Sequence, residues 1–140
     1  MNAITHNILV LMTDDQVDIL SGILESIDDI VVTTADHPDT FLDCMLETQF
    51  FLLVLDGGII RSSTADDTGI EAIIKRIRDN KRLKETPVLL LVNPDQDELP
   101  EQLLQDRRID SLELPLRGHR LLARIRVYLE LFKQERAVEQ

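Results

Sequence analysis

Acidic side chains follow two of the apolar runs in this sequence, at places where a carboxylate is available for chemistry. Asp56 ends the most apolar run, FFLLVLD, and Asp14 and Asp15 come just after the first run, ILVLM. A carboxylate at such a position can bind a ligand, or it can accept hydrogen bonds from the neighbouring backbone. Asp56 can hydrogen-bond the turn that follows it, and Asp14 and Asp15 can cap a helix. Residue type alone leaves both roles open.

Other catalytic signatures are missing from the sequence. The three histidines, His6, His37 and His119, are far apart, and Cys44 is the only cysteine. A single thiol excludes an internal disulfide and a multi-thiolate metal site, and no metal-ligand spacing links the histidines. There is no G-x-G-x-x-G fingerprint and no nucleophile-elbow serine. The sequence therefore predicts neither an enzyme nor a required cofactor.

Five short apolar runs alternate with amphipathic stretches, and we predict them to be strands. They lie at 8–12, 29–34, 50–55, 87–92 and 109–114. Helices are expected after Thr13, from Pro38, over 70–77, over 99–104, and from Leu121 toward the C-terminus, with a long loop over 57–68. This alternation predicts an α/β, doubly wound, three-layer sandwich: a parallel sheet of five strands covered by five helices, with the polar fifth strand at an edge.

In open parallel sheets the functional crevice lies beyond the carboxyl ends of the strands. The positions that this topology brings there are 13–15, 56–58, 92–93 and 114–115. The acidic residues that follow the first and third strands are therefore expected at one edge of the sheet.

Length and charge limit the classes of function. The chain has 140 residues, enough for one domain, and 26 Asp and Glu against 15 Lys and Arg give a net charge of −11. Such a charge disfavours nucleic acids and anionic membranes as partners. No apolar run is long enough to span a bilayer, and the first residues lack a signal-peptide pattern. We expect a cytoplasmic domain over 1–133 and a helix extension or linker over 134–140.

Four segments resemble those of response regulator receiver domains of two-component systems. They are FLLVLD ending at Asp56, TGIEAIIKRIR at 68–78, ETPVLLLV at 85–92 and LELPLRGHRLLARIRVYL at 112–129. The resemblance covers about residues 6–133 and rests on the order and spacing of the segments. It implies the CheY-like, flavodoxin-like form of the doubly wound fold.

The resemblance also implies a chemistry, phosphoryl transfer from a histidine of a partner kinase to Asp56. In that family two acidic residues after the first strand hold Mg²⁺ together with the acceptor. The alignment puts Met12 and Thr13 at that pair, whereas a shift of two residues puts Asp14 and Asp15 there. Asp56 is thus the candidate phosphoacceptor, and Asp14, Asp15 and Asp56 are the candidate Mg²⁺ ligands.

Other positions depart from the family pattern. The family's serine or threonine falls on Val92, its lysine on Leu114 and its switching aromatic residue on Ser111. The first two changes remove a hydrogen-bond donor and a cation and put apolar side chains beside the phosphoryl site. The sequence therefore favours an atypical receiver, or pseudo-receiver, that acts by protein–protein contact.

Two other hypotheses stay open. One is a working Mg²⁺-dependent phosphoacceptor that uses Asp14, Asp15 and Asp56. The other is a flavodoxin-like protein that binds a small ligand under the loop 57–68. For a receiver, the expected partner is a histidine kinase or phosphotransfer protein, or a downstream output domain. A homodimer is also compatible, through the fourth predicted helix, the fifth strand and the last helix, or through an extended last helix.

Overall fold

A five-stranded parallel sheet forms the centre of the molecule. The structure, a computed structural model, describes residues 5–63, 69–95, 99 and 101–139. The strands are β1 His6–Leu11, β2 Ile30–Ala35, β3 Leu52–Asp56, β4 Val88–Val92 and β5 Ile109–Glu113. They pair in the order β2-β1-β3-β4-β5, and every pair is parallel. The predicted fold class is confirmed, and β5 lies at an edge as its polar sequence indicated.

Helices cover both faces of this sheet. They are α1 Asp14–Leu24, α2 Pro38–Cys44, α3 Gly57–Ser63, α4 Gly69–Asp79, a 3₁₀ helix Lys81–Leu83, α5 Glu101–Leu104 and α6 Gly118–Glu139. One apolar cluster joins α2, α3 and α4 to one face, with Phe41 and Ile77 fully buried. A second cluster joins α1 and α6 to the other face, with Leu20 and Leu121 fully buried. β3 and β4 read as continuous apolar runs because both of their faces are covered.

The segment after β3 differs from the prediction. A loop was expected over 57–68, yet Gly57–Ser63 is the helix α3, which begins directly at the end of β3. Two glycines are poor helix formers, but the Asp56 side chain accepts a hydrogen bond from the Ile59 N–H in the first turn, and Ile60 is fully buried in the core. Capping and burial therefore outweigh local propensity. The rest of the expected loop, 64–68, lies outside the described residues.

The last helix continues past the predicted domain boundary and packs against the body of the domain. α6 runs without a break to Glu139. Glu135 Oε1 accepts from Arg108 Nη2 at 2.6 Å, and Arg136 Nη1 donates to Gln49 Oε1 at 2.8 Å. These bonds hold Glu135 and Arg136 against the rest of the chain. The division into a domain over 1–133 and a helix extension or linker over 134–140 stays a prediction.

Arg78, on α4, ties together the amino-terminal ends of β4 and β5. Its Nε donates to Asp106 Oδ2 at 2.9 Å, and Nη1 donates to the Leu83 and Thr86 carbonyls at 3.0 and 2.8 Å. Nη2 reaches the Arg108 carbonyl at 3.4 Å. Burial acts to raise the pKa of Asp106, but the Arg108 backbone N–H and the Arg78 guanidinium outweigh it and hold that pKa below its ordinary value.

An aromatic cluster anchors α6 to the start of β1. The His6 ring meets Phe51 and Phe132 edge to face, with ring centroids 6.5 and 6.0 Å apart. Burial, followed by the charges of Lys133 and Arg136, lowers the pKa of His6 below 6.5, although Asp29 acts in the opposite direction. Protonation of this ring is therefore less favourable in the folded protein than in the unfolded chain.

This cluster predicts a loss of stability on acidification. Because the folded pKa of His6 is lowered, the unfolded state binds more protons, so His6 stabilises the fold above pH 6.5 and loses that contribution as the pH falls below it. We expect the urea midpoint of the wild type to fall more between pH 7.5 and 5 than that of His6→Phe, which keeps a ring but does not titrate. Equal pH slopes for the two proteins would contradict this role.

Candidate functional site

The crevice at the carboxyl edge of the sheet holds the predicted site. β1 leads into Met12, which is 2% exposed, and then into Thr13, the N-cap of α1. β3 ends at Asp56, which lies beside this turn because β1 and β3 are paired neighbours. Asp56 is 4% exposed, and among the described positions it is the one charged residue that is buried.

Both oxygens of the Asp56 carboxylate accept hydrogen bonds from the chain itself. Oδ1 accepts from the Ile59 backbone N–H at 2.9 Å, which caps α3. Oδ2 accepts from Gln16 Nε2 at 2.7 Å. A buried carboxylate is stable only when it is paired or hydrogen-bonded, and here neutral donors from α1 and α3 supply those bonds.

The Gln16 side chain is itself held in position by a capping box. Its Oε1 accepts from the Thr13 N–H at 2.9 Å, and the Thr13 hydroxyl accepts from the Gln16 N–H at 3.3 Å. Only the amide oxygen can accept from a backbone N–H, so the amide nitrogen must face Asp56. Gln16 was missed as a site residue. The pattern Thr13-x-x-Gln16 is a capping-box signature, but the sequence does not show that its amide also reaches β3.

The predicted Mg²⁺ ligands do not converge in this structure. Asp14 and Asp15 are exposed in the first turn of α1, which fits their alternative role beside the helix N-terminus. Among the described residues, no three Asp, Glu, His or Cys side chains are placed to hold a metal ion. The side chain that faces Asp56 presents an amide N–H, which cannot ligate a cation. The three carboxylates are therefore not assembled around a common cation position, and a metal role for them stays a prediction.

The three positions that depart from the family pattern, Val92, Leu114 and Ser111, carry no charged side chain. Val92 is buried at the end of β4, and Leu114 is half-buried against the cluster under α1 and α6. Ser111 is half-buried on β5, and the peptide bond from Leu114 to Pro115 is cis. None of these side chains supplies a cation to the crevice.

The scattered histidines and the cysteine take structural places. His37 caps α2, its Nδ1 accepting from the Asp39 N–H at 3.1 Å, and His119 is exposed. Burial, followed by the neighbouring Glu47 and Asp43 carboxylates, raises the pKa of the Cys44 thiol. Cys44 therefore carries little thiolate at neutral pH, and it packs against the core as a small apolar group.

Not one of the described helices combines the length and the apolar character that a bilayer span requires.

Comparison with known proteins identifies the fold. Neither a protein-family model nor a curated protein matches the sequence. Among solved structures, the signal receiver domain of a protein described as a Luxo repressor, from Vibrio parahaemolyticus, superposes with a TM-score of 0.75 at 19% identity, covering 98% of this chain and 99% of that one. The chemotaxis response regulator CheY4 of Vibrio cholerae gives a TM-score of 0.69 at 17% identity, with 90% and 99% covered.

A third match contains a metal ion. The receiver domain of the sensor histidine kinase PA1611 from Pseudomonas aeruginosa has a magnesium ion coordinated in its active-site cleft, and it superposes with a TM-score of 0.62 at 18% identity, covering 87% of this chain and 97% of that one. Identities at this level establish shared architecture. The chain therefore has the fold of response regulator receiver domains.

Proposed function

We propose that this receiver-fold chain is a signalling module of a two-component pathway that acts by protein–protein contact without phosphorylation of Asp56. The observation that carries the proposal is that both carboxylate oxygens of Asp56 already accept hydrogen bonds, from Gln16 Nε2 and the Ile59 N–H. The donors are neutral and belong to the folded chain. Each carboxylate oxygen is thus already engaged in a bond that stabilises the fold.

Phosphorylation would have to break one of these two bonds, whichever oxygen attacks. Attack by Oδ2 breaks the bond to Gln16, and attack by Oδ1 breaks the cap of α3. The acyl phosphate would carry a charge of about −1.5 to −2 at neutral pH in place of the −1 of the carboxylate. Leu114 and Val92 offer that charge no cation or donor, and the chain already has a net charge of −11.

Contact with partners is supported by the outer surface of α6. Val127 and Leu131 lie one turn apart on this helix with 54% and 40% of their surface exposed. Large apolar side chains exposed side by side are typical of interaction sites. The partner we propose is a histidine kinase, a phosphotransfer protein or an output domain that docks on α5, β5 and α6, and a second copy is the alternative.

The flavodoxin-like hypothesis receives less support. The three solved structures compared above are a signal receiver domain, a chemotaxis response regulator and the receiver domain of a sensor kinase. The first seven residues of the expected lid form α3, with Ile60 in the core. A segment held in this way is unsuited to open and close over a ligand.

Intact-mass spectrometry tests the proposal. The protein is incubated with Mg²⁺ and acetyl phosphate beside a working receiver domain, which shows that the donor is active. We expect no phosphate-sized mass gain in this chain, because Asp56 is held by its own donors. A gain in the wild type that is absent in a folded Asp56→Asn variant would overturn the proposal and favour the phosphoacceptor hypothesis with Asp14 and Asp15.

A further inference from the structure

Positive charge gathers at the amino-terminal edge of the sheet, opposite the crevice. The 3₁₀ helix and the turn after it carry Lys81, Arg82 and Lys84, and the nearby end of α6 adds Lys133 and Arg136. This concentration occurs in a chain with a net charge of −11. A local concentration of cations on an acidic protein is a place where an anion can be attracted.

A groove of about 320 Å³ opens among these cations. Lys81, Arg82 and Lys84 line it on one side, and Phe132, on α6, lines it on the other. A second groove of about 220 Å³ also has Arg82 in its lining. The larger volume lies at the lower end of the range that small-molecule sites occupy.

Two of the lining cations are available for a ligand. Lys81 and Lys84 are exposed, and neither forms an ion pair with any residue that the structure describes. Lys81 is the first residue of the 3₁₀ helix and Lys84 is its C-cap. Both lysines line the same groove.

The backbone that carries these lysines is fixed before any ligand arrives. Asn80 Oδ1 accepts from the Arg82 N–H at 2.9 Å and caps the 3₁₀ helix. Arg78 holds the carbonyls of Leu83 and Thr86 from beneath. Arg82 Nη1 donates to the Leu46 carbonyl at 3.4 Å, which uses one of the five guanidinium donors. A rigid support of this kind lowers the entropic cost of binding.

The acidic residues of the groove only partly offset the cations. Glu135 is paired with Arg108 at 2.6 Å. Glu85 is the other carboxylate in the lining. Three cations thus face one carboxylate that has no ion pair within the described chain. The balance favours an anion with more than one charge.

We propose that this groove binds a compact anion with two or more linked phosphate groups. Ammonium groups act as point charges for phosphate oxygens, and a guanidinium can bind two of those oxygens at once. Linked phosphates occur in inorganic polyphosphates and in nucleoside di- and triphosphates. The shared phosphate chain is the part that this groove recognises. The site lies at the opposite end of the strands from Asp56 and does not depend on the function proposed above.

Calorimetric titration of the full chain tests the proposal with pyrophosphate, tripolyphosphate and ATP. We expect saturable binding that weakens about tenfold or more in Lys81→Gln/Lys84→Gln. The matched control is Lys75→Gln/Arg76→Gln, which removes two exposed cations from α4 outside the groove and should bind as the wild type does. Thermal unfolding confirms that both variants fold. Equal binding of tripolyphosphate and ATP assigns recognition to the phosphate chain alone, whereas tighter binding of ATP adds contacts to its nucleoside; both outcomes support the site.

Amide chemical shifts locate the ligand independently. Binding in the groove should move resonances over 80–87 and near Phe132, while those around Asp56 stay in place. Three results overturn the proposal: no saturable binding, the same loss of affinity in the control variant, or shifts centred on the crevice.

Discussion

Replacing Gln16 with glutamate is expected to lower the free energy of unfolding by about 2 kcal/mol. The substitution keeps the capping box, because a glutamate oxygen accepts from the Thr13 N–H as the amide oxygen does. It puts a second carboxylate where Gln16 Nε2 now lies 2.7 Å from Asp56 Oδ2. The hydrogen bond from residue 16 to Asp56 is thereby replaced by repulsion between two carboxylates at a partly buried position. Urea unfolding at neutral pH measures the loss.

Asp56→Asn distinguishes the bond to Gln16 from the cap of α3. If the introduced amide keeps its oxygen on the Ile59 N–H, its nitrogen faces Gln16 Nε2 donor to donor, and we expect a cost of about 1–2 kcal/mol. In Gln16→Glu/Asp56→Asn the new amide donates to the new carboxylate, so most of both losses should be recovered. A coupling energy near zero in this double-mutant cycle would show that the 2.7 Å contact contributes nothing to stability.

Arg78→Ala should have a larger effect than Gln16→Glu and lower the free energy of unfolding by about 3 kcal/mol relative to the wild type. The change leaves Asp106 without its ion pair and the carbonyls of Leu83 and Thr86 without their shared donor. Both side chains of the ion pair are largely shielded, with relative exposures of 17% and 31%, so water replaces the lost bonds only in part. Arg78→Lys should recover only a fraction of the loss, since one ammonium group cannot reach all of these acceptors.

Arg76→Ala is the matched control on the same helix. Arg76 is exposed, and its removal should change the free energy of unfolding by less than about 0.5 kcal/mol. The Arg78 effect should also depend on pH. Because the folded pKa of Asp106 lies below its ordinary 3.8, the stabilisation is present above that value and is lost as the pH falls through the folded pKa. If Arg78→Ala lowers the free energy of unfolding by the same amount in acid as at neutral pH, Arg78 stabilises the fold only through its bonds to the carbonyls.

The sheet was predictable because its strands are marked by composition. Apart from its final aspartate, the run FFLLVLD contains no polar side chain, and the run PVLLLV contains none at all. This composition is typical of a strand that is buried on both faces of a parallel sheet. The polar alternation of β5 likewise indicated an edge. The helix α3 was not predictable, since Gly57, Gly58 and the serines favour a loop by propensity. Its formation depends on the Asp56 cap and the burial of Ile60, both of which are tertiary effects.

The candidate site was predictable in position but not in its bonding. Strand ends placed Asp56 in the crevice, and the alignment placed Met12, Val92 and Leu114 around it. The partner of Asp56 was missed because Gln16 lies 40 residues away on another element. Local pattern gives the role of Gln16 within its own helix, the capping box. The same pattern does not indicate that the amide nitrogen of Gln16 donates to a residue at the end of β3.

The Asp56 carboxylate is shared between the two helical layers. One oxygen is bonded to α1, which packs on one face of the sheet, and the other to α3, which packs on the opposite face. When the N-terminal end of either helix opens locally, Asp56 loses one of its two hydrogen bonds. The free energies of opening of the two helix ends are therefore coupled through this side chain. A partner protein that binds and stabilises α1 would therefore slow hydrogen exchange at the Ile59 amide, on the opposite face of the sheet, without contacting α3.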